Sequence, residues 1–94
     1  MPRYVIERDI PAIGSAERET LREAAQKSNT VLAEMKAEKK HIQWEHSYVA
    51  GDKTFCVYIA DSEVLVHEHA QRSGFPATKV TAVRRMIDPV TAEG

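Results

Sequence analysis

Residues 43–60 constrain the fold more than any other part of this chain, because they read as two β-strands joined by a tight turn. Apolar and β-branched residues run up to Gly51-Asp52 and resume directly after it, a pattern typical of a two-residue hairpin. The stretch contains the only Trp, the only Cys, one of the four His and two of the three Tyr. Most side chains capable of chemistry are therefore expected in this hairpin and in the helix that follows it.

Strand patterns alternate with helix patterns along the rest of the chain. The strands are predicted over residues 4–8, 42–49, 54–60 and 79–87. The resulting order, βαββαβ, predicts an α+β, ferredoxin-like fold, in which both helices cover one face of a four-stranded antiparallel sheet. We expect residues 1–94 to form a single domain, since the chain shows no repeat, linker or low-complexity segment.

The two helices have amphipathic spacing and recognisable ends. The first is predicted to begin at Ser15 as its N-cap and to end near Lys39 or Lys40. The second is predicted to begin at Asp61 or Ser62 and to end at Gly74. Its sheet-facing side is expected to collect Ser62, Val66, His69, Ala70 and Ser73.

The register of the hairpin decides which side chains the helices cover. A two-residue turn places Val49 nearly opposite Thr54. The face expected under the helices then collects Ile42, Trp44, His46, Tyr48, Phe55, Val57 and Ile59. The other face collects Gln43, Glu45, Ser47, Val49, Cys56 and Tyr58. A one-residue bulge is the alternative, and it would place His46 beside Cys56.

The face without helices needs a cover, because it carries apolar residues. We expect a second copy of the chain to supply it, sheet against sheet, as a two-fold homodimer of the dimeric α/β-barrel type. Composition excludes other partners: the net charge is −1, so no basic field exists to hold nucleic acid or an anionic membrane. A single Cys and an N-terminus that enters a strand directly, without a signal-peptide pattern, lead us to expect a cytoplasmic protein.

Imidazole and carboxylate groups are the candidate metal ligands. His46 and His69 suit nickel, copper or zinc, with Glu45, Glu68 and Cys56 as further ligands nearby in sequence. The alternative is that both histidines are hydrogen-bonded core residues. Because His67 and His69 are two apart on a helix, they point in nearly opposite directions.

Two further groupings offer a surface site and a pocket. Glu63 and His67 are four apart on the second helix and could share a surface metal. Glu45, Tyr48, Cys56 and Tyr58 could line a small-molecule pocket, with Glu45 as a general base. The competing interpretation is that these tyrosines pack in the dimer interface and that Cys56 is a small buried hydrophobe.

Six segments of the chain resemble a small bacterial family of nickel-binding, ferredoxin-like proteins, formerly a domain of unknown function. They are residues 2–8, 43–49, 55–60, 68–70, 74–76 and 87–89. The most specific parts are the strand from Trp44 to Tyr48 and the run from Cys56 to Tyr58. The resemblance covers essentially the whole chain and implies a cytoplasmic dimer that binds nickel and sequesters it, without an established reaction.

Three functions are therefore expected from the sequence. The first is nickel binding for metal sequestration or homeostasis, without catalysis. The second is a small-molecule-binding protein or enzyme of the dimeric α/β-barrel type, with a pocket between the sheet and the partner subunit. The third is a plain dimerisation module.

Overall fold

The elements follow the predicted order in the computed structural model, which describes residues 1–93. The strands are β1 (Arg3–Asp9), β2 (Ile42–Ala50), β3 (Lys53–Ala60) and β4 (Lys79–Ala82). The helices are α1 (Arg18–Ala37) and α2 (Glu63–Ser73), and 3-10 turns cover Ile13–Ser15 and Pro89–Glu93. One antiparallel sheet has the strand order β2-β3-β1-β4, so the ferredoxin-like prediction is confirmed.

The hairpin turn has the predicted geometry. Val49 pairs with Thr54 and Ala50 pairs with Lys53, which leaves Gly51 and Asp52 as a two-residue turn. Gly51 adopts a φ of 62°, a conformation that glycine accepts without the steric cost that a Cβ would bring. The turn therefore fixes the register of the first part of the ladder as the sequence indicated.

A β-bulge farther along β2 changes which faces the strands present. Trp44 pairs with Tyr58 whereas His46 pairs with Val57, so Glu45 is the extra residue. We call the helix-covered side of the sheet the covered face; the hairpin residues on it are Ile42, Trp44, Ser47, Val49, Thr54, Cys56, Tyr58 and Ala60. The other side, the open face, receives Gln43, His46, Tyr48, Phe55, Val57 and Ile59.

The predicted face assignment was therefore wrong for most of the hairpin. Cys56 and Tyr58 are buried on the covered face, while Phe55, Val57 and Ile59 are half-buried on the open face. The bulge is present, but it does not bring His46 beside Cys56. The error has a physical cause: both sides of β3 are apolar, so separating polar from apolar residues cannot tell which side the helices cover.

The core lies between the covered face and the two helices. Its buried apolar members are Tyr4, Ile6, Val31, Met35, Ile42, Cys56, Tyr58, Ala60 and Val66. Helix α2 contributes the predicted side, because Val66, His69, Ala70 and Ser73 are all buried. Gly74 ends α2 in the left-handed conformation, as predicted.

Helix α1 begins later than its sequence suggested. Ser15 belongs to a 3-10 turn, and Glu17 occupies the N-cap position instead. The preceding loop is held against the hairpin, because the Gly14 amide donates to the Gly51 carbonyl at 2.7 Å. A Cβ on Gly14 would lie 2.6 Å from that oxygen, so the approach requires glycine. Anchoring this loop to the hairpin delays the helix to Arg18.

Strand β4 ends at Ala82 rather than at the predicted Ile87. Its last pairs are Tyr4 with Ala82 and a bond from the Val83 amide to the Arg3 carbonyl. The partner strand β1 begins at Arg3, so no ladder remains for residues beyond this point. In residues 1–93, no helix has the length and apolar character needed to span a bilayer.

Candidate functional site

A buried polar cluster joins both helices to the covered face. His69 on α2 is 0% exposed, and its Nε2 lies 3.2 Å from the Ser28 hydroxyl on α1. The Ser28 hydroxyl also lies 3.4 Å from the Tyr58 hydroxyl on β3. The Tyr58 and His69 rings meet edge to face with centroids 5.0 Å apart. The prediction that His69 is buried is confirmed, and Ser28 and Tyr58 are the polar groups that accompany it.

Arg8 on β1 brings a positive charge into this region. It is only 2% exposed, and its Nη1 donates to the Pro76 carbonyl at 2.8 Å. Its guanidinium carbon lies 5.9 Å and 5.6 Å from the ring centroids of Tyr58 and Phe75, within the range of cation–π attraction. Burial, reinforced by the charge of Arg8, lowers the pKa of His69 to about 4, so this imidazole is neutral at pH 7.

Next to this cluster, a cavity of about 230 Å³ separates α1 from the covered face. Of the four residues expected to form a pocket, Cys56 and Tyr58 line it, and burial raises the pKa of Tyr58. Glu45 sits at the bulge, where its carboxylate pairs with Arg3. The hydrogen bonds and charge of Arg3 lower the pKa of Glu45, which opposes its expected role as a general base.

The fourth expected pocket residue, Tyr48, lies on the open face. It is 63% exposed, and its ring contacts His46 edge to face at a centroid distance of 5.1 Å. The structure therefore divides the expected pocket between two sides of the sheet. The cavity is enclosed by elements of one chain, between the sheet and α1, rather than by the sheet and a partner.

The expected metal ligands His46, Glu68 and His69 are not brought together. His46 is exposed on the open face, whereas His69 is buried beneath the covered face. Glu68 pairs with Lys40 at 2.7 Å and with Arg72 at 2.6 Å. Hydrogen bonding to Lys40 is the main cause that lowers the pKa of Glu68, so this carboxylate is committed to two cations.

The same cations bind a second carboxylate. Arg72 donates two hydrogen bonds of 2.7 Å to Glu38, and Lys40 lies 3.1 Å from it. Hydrogen bonds from Arg72 and Lys40 lower the pKa of Glu38 to about 2. This network links the end of α1 to α2 and offers no vacant carboxylate for a metal.

Glu63 and His67 do come together, on the exposed side of α2. Glu63 Oε2 lies 3.2 Å from His67 Nε2, and both side chains are about half exposed. Among residues 1–93, no three His, Cys, Asp or Glu side chains form a group that could hold a metal ion. A metal at Glu63 and His67 would therefore take its remaining ligands from water or from another chain.

Sequence reasoning missed Arg8 as a residue of the core. Its strand carried the signal, since Arg8 continues the alternation of Tyr4 and Ile6, which are both buried. Ser28 was placed on the apolar side of the first helix, but nothing in the sequence paired it with His69.

Comparison with known proteins identifies a family and a fold. Residues 4–83 match the family model described as nickel responsive protein SCO4226-like. The chain is similar to the crystal structure of SCO4226 from Streptomyces coelicolor A3(2), with a TM-score of 0.72 and 17% identity over 90% of this chain and 99% of that one. No curated protein matches the chain. At this identity the structural likeness supports the fold alone.

Proposed function

Because the chain belongs to the SCO4226-like family of nickel responsive proteins, we propose that it binds nickel and serves in metal sequestration or homeostasis, without catalysis. Glu63 and His67 are the nickel ligands that this chain supplies. The observation that carries the proposal is their existing contact of 3.2 Å on an exposed helix face. Imidazole suits nickel, and a carboxylate four residues away on a helix can bind the same ion.

The other candidates fit a metal less well. His69 shares its Nε2 with Ser28 inside the core, and Glu68 would have to leave two cations. His46 is accessible, but its neighbour on the open face is the Tyr48 ring rather than a carboxylate. A two-ligand site completed by water or by a second copy is weak and reversible, which suits a protein that responds to the nickel level.

Nickel titration by calorimetry tests the proposal, on protein without a histidine tag and at neutral pH. The wild type should bind nickel at a defined stoichiometry, and the double variant E63Q/H67Q should lose that binding. Affinity should fall toward acid pH, because protons compete with nickel for the imidazole nitrogen. The double variant H41Q/H46Q is the matched control: it also removes exposed imidazoles, and it should bind as the wild type does.

Two results would contradict this assignment. Nickel bound by E63Q/H67Q and lost from H41Q/H46Q would transfer the site to the open face or its surroundings. A wild type that takes up no nickel would remove nickel binding altogether, whichever residues were chosen as ligands.

We also propose that a second copy covers the open face. Val57 and Ile59 are half-buried there, and Tyr48 is exposed beside them. The C-terminal segment adds exposed Met86 and Ile87, and a chain of this size gains much from burying such residues against a partner. Light scattering should report a dimer at micromolar concentration, and a monomer throughout that range would contradict the shared-sheet arrangement.

A further inference from the structure

The cavity between α1 and the covered face has the size and lining of a ligand site. Its volume is about 230 Å³, whereas an apolar cavity of about 150 Å³ already accepts benzene. Trp44, Phe75 and Ala25 contribute to its mostly apolar wall. Exposed Val49 is also part of the wall, so the cavity reaches the protein surface.

Arg8 places an unbalanced positive charge at this cavity. A guanidinium is always protonated, and burying a charge without a partner costs several kcal/mol, on the order of the stability of a small domain. None of the ion pairs formed within residues 1–93 includes Arg8. Its Nη1 binds the Pro76 carbonyl, but its Nη2 is buried without any hydrogen-bond partner.

The aromatic rings of Tyr58 and Phe75 offset only part of this cost. They attract the guanidinium through their faces, but they supply neither a negative charge nor an acceptor for Nη2. The nearest titratable neighbour in the core is His69, which is neutral and so contributes no anion. The missing element at this site is an anion with a hydrogen-bond acceptor.

We propose that the cavity binds a small organic carboxylate. The carboxylate accepts a charge-assisted hydrogen bond from Arg8 Nη2, and an apolar body, such as an aromatic ring or short alkyl chain, lies against Trp44 and α1. One vacant donor and an apolar wall suit a monoanion. A phosphate, with more oxygens and a higher charge, would need several donors that this wall does not provide.

This site is independent of the proposed nickel ligands. Glu63 and His67 lie on the exposed side of α2 and do not line the cavity. Carboxylate binding can therefore fail or succeed without any bearing on nickel binding, and neither experiment depends on the other.

Benzoate and benzamide are the probes, because they share a ring and differ in charge. Trp44 lines the cavity and is the only Trp, so its fluorescence reports occupancy, and calorimetry gives the affinity. Benzoate should bind saturably, and about 10- to 100-fold more tightly than benzamide, as expected for a charge-assisted hydrogen bond in a buried site. Equal affinities, or no saturable binding of benzoate, would overturn the proposal.

Three variants locate the bound probe. R8M removes the charge at similar length and should abolish the preference for benzoate over benzamide. R3M removes an exposed charge from the same strand and should leave benzoate affinity unchanged. A25L should fill part of the cavity and weaken both probes.

The variants can also refute the site. Benzoate bound with unchanged affinity by R8M, or by A25L, would place the probe elsewhere. If R8M does not fold, the contrast between the two probes in the wild type and the effect of A25L still decide the matter.

Discussion

The two faces of the sheet invert the usual distribution of residues. The covered face and the helices above it bury Arg8, Ser28 and His69, polar groups that proteins usually leave in water. The open face holds Val57 and Ile59, which usually lie inside. The difference teaches that neither face is complete by itself. The covered face has a buried cation that lacks an anion, and the open face has apolar residues that lack a cover.

The chain supplies matched residues with which to test this contrast. Tyr58 and Tyr48 are tyrosines on neighbouring strands of the same hairpin, yet one is 2% exposed and the other 63%. His69 and His46 form a similar pair, one buried and one exposed. Each pair has the same chemistry in two surroundings, so the difference between its members reports the faces themselves.

The largest expected effect comes from the tyrosine pair. Tyr58→Ala should lower the free energy of unfolding by about 3–5 kcal/mol, because it leaves a cavity in the core and removes a partner of Ser28. Tyr48→Ala should have little effect on the stability of a single subunit, and any loss should vary with protein concentration if a second copy covers the ring. Denaturant titrations at two protein concentrations measure both.

Equal losses from the two tyrosine variants would break the comparison between the faces. A loss from Tyr48→Ala that does not depend on concentration would show that this ring packs within its own subunit. In that case the open face would need no partner to explain it.

The histidine pair predicts a smaller, pH-dependent effect. The pKa of His69 is about 4 in the folded chain and about 6.5 in the unfolded chain. Between these values the unfolded state binds more protons, so stability is complete above about pH 6.5 and falls as the pH approaches 4. The loss amounts to about 3 kcal/mol. Glu38, with its pKa lowered to about 2, adds its own loss only at still lower pH.

Two variants assign this pH dependence to its source. His69→Gln removes the titrating group, so its unfolding free energy should change much less than that of the wild type between pH 7 and 4. His46→Gln on the open face should retain the wild-type profile. A wild-type chain whose stability stays constant over this range would show that His69 is not held neutral in the core.

The sequence by itself determined the order of the elements, and the reason is local. Turn and cap signals such as Gly51-Asp52 and Gly74 act over a few residues, and the periods of the helices and strands are visible without any partner. The buried side of α2, with His69 on it, followed from the same helical spacing. The resemblance to nickel-binding proteins also came from the sequence, and the family match supports it.

Only the tertiary structure decided which face of β3 the helices cover. Both sides of that strand are apolar, and the bulge at Glu45 carries no sequence signal that distinguishes it from a regular ladder. The pairing of β1 with β3 settles the matter, since it places Ile6 opposite Cys56 and Arg8 opposite Thr54. The cavity, the unbalanced Arg8 and the separation of His46 from His69 all follow from this choice. They depend on contacts between residues far apart in the chain, which local patterns do not encode.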